Sequence, residues 1–433
     1  MASRKRAVRG ATLMAKAQRR FQPHDYAEHL RSSGVWRHES GVLYRWTGSF
    51  WQALPELEAE KSAYDWIVRN DRINASWENA RKAFKAAVMW CEAVPPSTLA
   101  MVMPCANGYL HVQDGTLRLE PPNPTLGLRY ELACAFEPLA SAPSQFLTFL
   151  NTVLPDEQVR ARVQEYFGYT LTSDARHQVA QYWVGKGANG KGVLARILMA
   201  LHSRPESVQL DALDGFKLSS LIDASLIYCD EAPRGRISEQ NIKSMIAGER
   251  VQIDRKYRDP ISVNICAKWL VLGNHLPAIT DHSNGFWRRW NFIPFDLVIP
   301  EHERNPRLAE IIIESELGGV LRWALEGLVR LEQRGRFDVV LPAPMAKLLR
   351  ELRVQTDSVR GWVEDCDVSL SDKLDTTRQE VFAHYQSWCG DNGLFALASG
   401  QFWPRVRDIL PYDLRRVRQG AIQKRVCNIA LKY

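Results

Sequence analysis

The stretch from Tyr182 to Gly192, YWVGKGANGKG, admits few local structures. An apolar run stops at a glycine-rich loop and gives way to VLARILMALHS, an amphipathic segment at helical spacing. The order is strand, loop, helix. A backbone that wraps a polyphosphate needs residues without a Cβ at its tight points, inward amide N–H groups and a helix N-terminus behind them. Gly185, Gly187 and Gly190 supply the first. Lys191 stands where an ammonium reaches the β- and γ-phosphates, completing G-x-x-x-x-G-K. The expected nucleotide contacts are therefore Gly185, Lys186, Gly187, Ala188, Asn189, Gly190, Lys191, Gly192 and Val193. A complete phosphate loop continues with Ser or Thr to hold Mg²⁺, and here that position is Gly192. Taken alone, the stretch fits both a phosphate loop and a plain glycine-rich turn before a helix, so its neighbours must decide.

Composition narrows the setting. A chain of 433 residues with 45% hydrophobic content is long enough for two to four globular domains. It has neither an apolar run of membrane-spanning length nor an N-terminal apolar segment of the secretory kind, so a cytoplasmic location and no membrane partner are expected. The eight cysteines are scattered without C-x-x-C or histidine clusters, which argues against zinc and disulfides. Residues 1–20 hold seven Lys or Arg and no acid, enough to account for the net charge of +7. That basic tail reads as a solvated extension or as a nucleic-acid contact.

The polar ends of later apolar runs carry the next clues. Ser225–Cys229 ends in Asp230-Glu231, two carboxylates at the C-terminal end of a buried strand, where ligands bind in open α/β sheets. Phosphoryl transfer to water uses one carboxylate on the metal and one on the attacking water, roles that suit Asp230 and Glu231 respectively. A solvated strand end has the same spelling. Ala267–Gly273 ends in Asn274, whose amide suits either a turn or a hydrogen bond to both water and γ-phosphate. Between them, ERVQIDRKYRDPISV puts Arg255, Lys256, Tyr257 and Arg258 at a hairpin tip, either a charged turn or a grip on a nucleic-acid backbone with a stacking ring. GFWRRWNFIPFD sets Arg288 and Arg289 between aromatics. This is either an ordinary surface strand or the source of an arginine that reaches a neighbour's γ-phosphate, worth roughly 10³–10⁵ in rate in nucleotide hydrolases.

Upstream, Val35–Leu54 alternates like a small antiparallel element, 56–70 and 77–92 look helical, Cys105–Leu119 gives two strands around Asp114-Gly115, and Gln145–Leu171 is helical. Downstream, 307–334 reads as an apolar helical pair, and a further helical stretch runs from Ala343 to about Cys366. Helices at 376–393 and from Ser399 to Leu410 precede two basic strands. Helix, turn, helix and strand pair suggest a winged helix. From Gln401 to Tyr433 eight Lys or Arg face two acids, so Arg416, Arg418, Lys424 and Arg425 are candidate phosphate contacts, with protein docking as the other reading.

In this order, ANGYLHVQDGTL, PSQFLTFLNTVLPDEQVRARVQEYFGYTLT, GKGANGKG, LIYCDEAP, IKSMIAGERVQIDRKYRDP, CAKWLVLGNHLP, GFWRRWNFIPF and GGVLRWALEGLVRL resemble the superfamily 3 DNA helicases, in the phage, plasmid and poxvirus primase–helicase branch. The resemblance covers roughly residues 100 to 433. It implies an α/β fold with an AAA+-like P-loop ATPase core, assembled as a ring, usually a hexamer, on single-stranded DNA. ATP and Mg²⁺ are the implied cofactors, and duplex origin DNA and a separate primase are further partners. On that pattern Lys191 binds phosphates, Asp230 and Glu231 form the Walker B pair with Asp230 on the metal, and Asn274 is the sensor. Arg289, with Arg288 as second choice, is the arginine finger, 255–258 is the pore hairpin, and Lys268 has a supporting role. The expected organisation is a basic tail (1–20), a mixed, mostly helical collar (21–175), an ATPase core (176–340) and a helical linker with a winged helix (341–433). No polymerising domain is recognisable, so a stand-alone helicase of a mobile element is expected. A DNA-binding initiator or structural ring that hydrolyses ATP poorly is the competing reading, motivated by Gly192.

Overall fold

The computed structural model describes residues 20–431, apart from 99–100, 114, 214, 223, 256–257, 280, 282 and 420–421. All of the expected basic tail except Arg20 lies outside the described residues.

An N-terminal unit combines α1 (Pro23–Ser32), the antiparallel strands β1 (Trp36–Glu39), β2 (Val42–Trp46) and β3 (Trp51–Ala53), and the helices α2 (Glu56–Asn70) and α3 (Trp77–Trp90). Its helices close over Tyr26, Leu30, Ile67 and Phe84. A second antiparallel sheet follows, β4 (Val102–Cys105), β5 (Gly108–Gln113) and β6 (Thr116–Glu120). It has one strand more than the sequence predicts, because VMPC is buried throughout and shows no polar alternation. The helices α4 (Ser144–Val153) and α5 (Glu157–Thr170) then lead into the central sheet.

That sheet is built from β7 (Ala180–Val184), α6 (Lys191–Ala200), β8 (Pro205–Ser207), β9 (Leu226–Cys229), α7 (Glu239–Ile246), the hairpin β10 (Arg250–Arg255) and β11 (Arg258–Asn264), β12 (Lys268–Gly273), α8 (Asn284–Trp287) and β13 (Trp290–Pro294). Five strands lie in the order β13-β7-β12-β9-β8, with every pairing parallel. Parallel sheets are covered on both faces, which is why these strands read as unbroken apolar runs. Side-chain alternation divides the interior in two. Trp183, Leu226, Leu270, Leu272 and Ile293 join the cluster that includes α6, whereas Tyr182, Ile227, Trp269, Val271 and Phe292 join the cluster beneath the hairpin. The first cluster also takes in Val102, Phe146 and Phe167, so residues on either side of position 175 share one core.

Beyond the sheet, α9 (Leu308–Arg334) is one 27-residue helix where the sequence predicts a pair. An added Cβ at Gly319 would run into the backbone of Ser141 and lie 3.1 Å from Pro143. Gly319 thins the helix for close packing. Gly327 packs the same way on Gln164, and Gly168 of α5 on Leu328. The predicted helix ending near Cys366 is likewise two, α10 (Ala343–Thr356) and α11 (Ser358–Asp365). The break is at Asp357, whose carboxylate accepts from Arg360 N to cap α11 and from the Arg405 guanidinium. The chain closes with β14 (Ser369–Leu370), β15 (Thr376–Thr377), α12 (Arg378–Asp391), α13 (Ser399–Ile409), β16 (Leu414–Gln419), β17 (Ile422–Cys427) and β18 (Ile429–Ala430). Here α11, α12 and α13 pack through Trp362, Tyr385 and Phe402 beside a β15-β17-β16 sheet.

Lys268 opens β12 and is buried. Its ammonium donates to Thr172 O at 2.7 Å and Cys266 O at 2.8 Å, and lies 4.7 Å from the Tyr169 ring centre. It fastens β12 to the end of α5, at the far end of the strand from Asn274.

Gly168→Ala gains about 1 kcal/mol of helix propensity, but its methyl would sit 2.6 Å from Leu328 Cβ. Overpacking of about 1–3 kcal/mol then decides the sign. The urea midpoint should fall with an unchanged slope, and a rise would refute the close-approach account. Lys268 is pulled down to about 8 by burial. Below that pH it is charged in both folded and unfolded chains, and its desolvation cost is complete. As pH rises from about 8 toward the ordinary lysine value of about 10.4, the folded state gives up its proton first and the cost is relieved. The stability difference between the native protein and Lys268→Met should therefore shift in favour of the native protein across that window, by up to about 3 kcal/mol. A flat difference would contradict it.

Candidate nucleotide site

The loop that leaves β7 is shaped by its small residues. Gly187 and Gly190 adopt φ of +102° and +82°, backbone that side chains disfavour. Space is scarce as well. A Cβ on Gly185 would strike Phe295 O, and one on Gly190 would lie 2.6 Å from Val153 Cγ1 and 2.9 Å from Phe149 Cζ. Asn189 is buried and donates from Nδ2 to Phe295 O at 3.0 Å, tying the loop to the residue after β13. Lys191, the first residue of α6, turns its ammonium back across the loop to Gly185 O at 2.6 Å and Asn189 Oδ1 at 3.1 Å. Burial lowers its pKa. The backbone thus forms a closed cup with one cation at its centre and the N-terminus of α6 behind it.

Strand register brings the other residues to this cup. Gly273 of β12 pairs with Val184, and Val271 pairs with Cys229 of β9, so three strands end at one edge. Leu226 and Tyr228 face the α6 side, and the two-residue period carries Asp230 to that side. Leu270 and Leu272 do the same for Asn274. Loop residues Gly187–Val193, with Asp230, Glu231, Leu272, Gly273 and Asn274, line a cleft of about 400 Å³. Asp230, Glu231 and Asn274 are exposed within it, and Asp230 Oδ1 accepts from Tyr228 Oη at 2.6 Å. Among the described residues no group of three or more His, Cys, Asp or Glu side chains is placed to hold a metal. The donors suit Mg²⁺ taken up with a polyphosphate, which needs only one or two protein carboxylates.

A second, mostly apolar hollow of about 690 Å³ shares Ala188, Gly190 and Val193 as a wall. Phe149 and Thr152 of α4, with Ile299, Pro306 and Leu308, form the rest. Sequence reasoning missed it, because its lining comes from segments some 150 residues apart with no local pattern.

Arg288 and Arg289 are not in the cleft. They follow α8 and precede β13, where Ala180 N donates to Arg289 O at the start of β7. The rise of about 3.3 Å per residue puts them roughly 13 Å down the sheet from the loop end of β7. The surface-strand alternative fails, because β13 is buried along its whole length. Arg289 Nη1 donates to Gly285 O, its Nε is buried without a partner among the described residues, and burial followed by the charge of Arg288 lowers its pKa. Arg288 is exposed.

The nucleic-acid candidates lie elsewhere. Arg255 and Arg258 are backbone partners at the end of the β10–β11 hairpin, while Lys256 and Tyr257 fall outside the described residues. Val251, Ile253, Ile261 and Val263 anchor the hairpin base in the second core. On the C-terminal ribbon Arg416 pairs directly with Arg425, and Val417 with Lys424. Arg416, Arg418 and Arg425 share one face, Lys424 takes the other, and all four are exposed. Like charges directly across a ladder are destabilising without an anion between them. No described helix is long and apolar enough to cross a membrane.

A family model described as "Family of unknown function (DUF5906)" matches residues 183–289, from β7 through Arg289. The protein named "Putative helicase 121R", from Invertebrate iridescent virus 3, is 22% identical over 208 residues, a match covering 45% of this chain and 22% of that protein's length. Two apo structures of the C-terminal region of NrS-1 superpose with a TM-score of 0.54 at 13% and 12% identity, covering 95% of this chain and 100% of each. At that identity the likeness is one of fold. The chain thus shares a mixed α/β fold with that region and a distant sequence match with a viral protein named as a helicase.

Proposed function

We propose that this chain is an ATP-hydrolysing motor subunit that moves along single-stranded DNA as a helicase in the replication of a mobile element. One observation carries the reading: a glycine-cupped lysine, two carboxylates and an asparagine from three separate strands converge on one cleft at the carboxyl edge of a parallel sheet. A structural turn would need no such convergence. In this reading the backbone amides of 187–193 and Lys191 hold the phosphates, and Asp230 orients Mg²⁺, which when bound neutralises charge developing on the transferred phosphoryl group. Glu231 orients and deprotonates the attacking water, and Asn274 hydrogen-bonds water and γ-phosphate together. The neighbouring apolar hollow takes the base and sugar, since the loop is a wall of both.

The position of Arg288 and Arg289, a strand's length from the cleft of their own chain, fits action on a neighbouring subunit and supports a ring, for which we take the hexamer as the working assembly. The core then belongs with AAA+-like superfamily 3 ATPases, and α11–α13 with the β15-β17-β16 sheet forms a winged helix. Its Arg416, Arg418 and Arg425 face suits phosphates of single-stranded or duplex origin DNA. The 255–258 tip suits the strand in the pore. A separate primase partner and a cytoplasmic setting complete the proposal. Gly192 favours a second reading, an ATP-binding initiator with little hydrolysis, because the loop offers no hydroxyl to the metal.

ATP hydrolysis with Mg²⁺, measured with and without single-stranded DNA, separates the two. Turnover stimulated by DNA and reduced at least about a hundredfold by Lys191→Ala is the expected outcome, given the size of single electrostatic contributions to such steps. Binding of ATP and DNA with turnover at background in the native protein would instead establish the initiator.

A further inference from the structure

Gly192 brings no hydroxyl to the position that a phosphate loop gives to Mg²⁺, and a tyrosine just outside the cleft lining holds one of the cleft's carboxylates. Tyr228 Oη donates to Asp230 Oδ1 at 2.6 Å. The two side chains share a face of β9 because they are two residues apart. The tyrosine ring is half-buried against the apolar cluster that contains Leu226, so the hydroxyl is presented from a fixed base. Asp230 itself is exposed at a strand end, where its carboxylate would otherwise sample several rotamers. Among the described residues no hydrogen bond reaches Oδ2, which leaves that oxygen for the cleft. At Gly192 an added Cβ meets nothing within 4 Å, so the missing hydroxyl is absent by residue choice and not for want of room.

We propose that Tyr228 is a positioning residue for the metal: its hydroxyl holds one oxygen of Asp230 so that the other is aimed at nucleotide-bound Mg²⁺, offsetting the ligand lost at Gly192. The inference rests on the nucleotide reading of the cleft. A partner that hydrogen-bonds a metal-binding carboxylate typically alters metal affinity about 10- to 100-fold. Tyr228 donates to the carboxylate through its only polar atom, so Tyr228→Phe removes the hydrogen bond and keeps the ring in the core.

The test is binding of a fluorescent, non-hydrolysable ATP analogue, titrated with Mg²⁺ and repeated in EDTA. Tyr228→Phe should raise the Mg²⁺ concentration for half-maximal enhancement of binding by about tenfold. Analogue affinity in EDTA should stay unchanged, which also shows that the variant is folded. Adding Gly192→Ser to Tyr228→Phe should restore the native Mg²⁺ requirement by direct ligation. A Mg²⁺ requirement that Tyr228→Phe leaves unmoved, in a native protein whose binding does respond to Mg²⁺, overturns the inference and spares the nucleotide reading. Failure of the native protein to bind the analogue under any condition overturns both.

Discussion

Burial of both faces of a parallel sheet is the constraint on which the rest of the molecule depends. Strands β7, β9, β12 and β13 have almost no polar side chains to offer solvent, so α6 with α4, α5 and α9 must cover one face and the β10–β11 side the other. Once both faces are closed, Gln181 and Asn291 are buried within β7 and β13, while the polar residues that reach solvent stand at the strand ends. That is where Gly185, Asp230 and Asn274 appear, at the carboxyl edge, while Lys268 and Arg289 appear at the opposite edge. The cleft is a by-product of making the core.

The same geometry divides labour between subunits in the proposed motor. One chain holds phosphate cup, carboxylates and amide together, and holds its arginine pair away from them by the length of β7. Arg289 is tied back to Gly285 O, whereas Arg288 is already exposed. The sequence pattern ranks Arg289 first, whereas exposure favours Arg288.

Much of this was legible in the chain, for local reasons. Glycines at Gly185, Gly187 and Gly190 announce a tight loop because each is demanded by backbone angle or by a neighbour's approach. Asp230 and Asn274 could be found because each follows directly on a buried strand. What escaped depends on distant contacts. The single helix α9 was expected as a pair, and the close packing of its Gly319 against Ser141 and Pro143 joins segments far apart in the sequence. The apolar hollow joins α4 to the segment around Ile299–Leu308, which no short window connects. Tyr228 carried a weak signal that was available, the two-residue spacing from Asp230 on a strand, but a tyrosine inside LIYC reads as core.

In the proposed motor each cleft is completed by arginines from a second copy of the chain. The most direct measurement is ATP hydrolysis by co-assembled mixtures of two variants, Lys191→Ala and the double variant Arg288→Ala with Arg289→Ala. Each should be close to inactive alone, one lacking the phosphate lysine and the other the cations offered to its neighbour. Mixing should restore part of the native rate, because some interfaces then pair an intact cleft with intact arginines. A mixture that co-assembles and stays at background, or a double arginine variant with native turnover, would contradict the account.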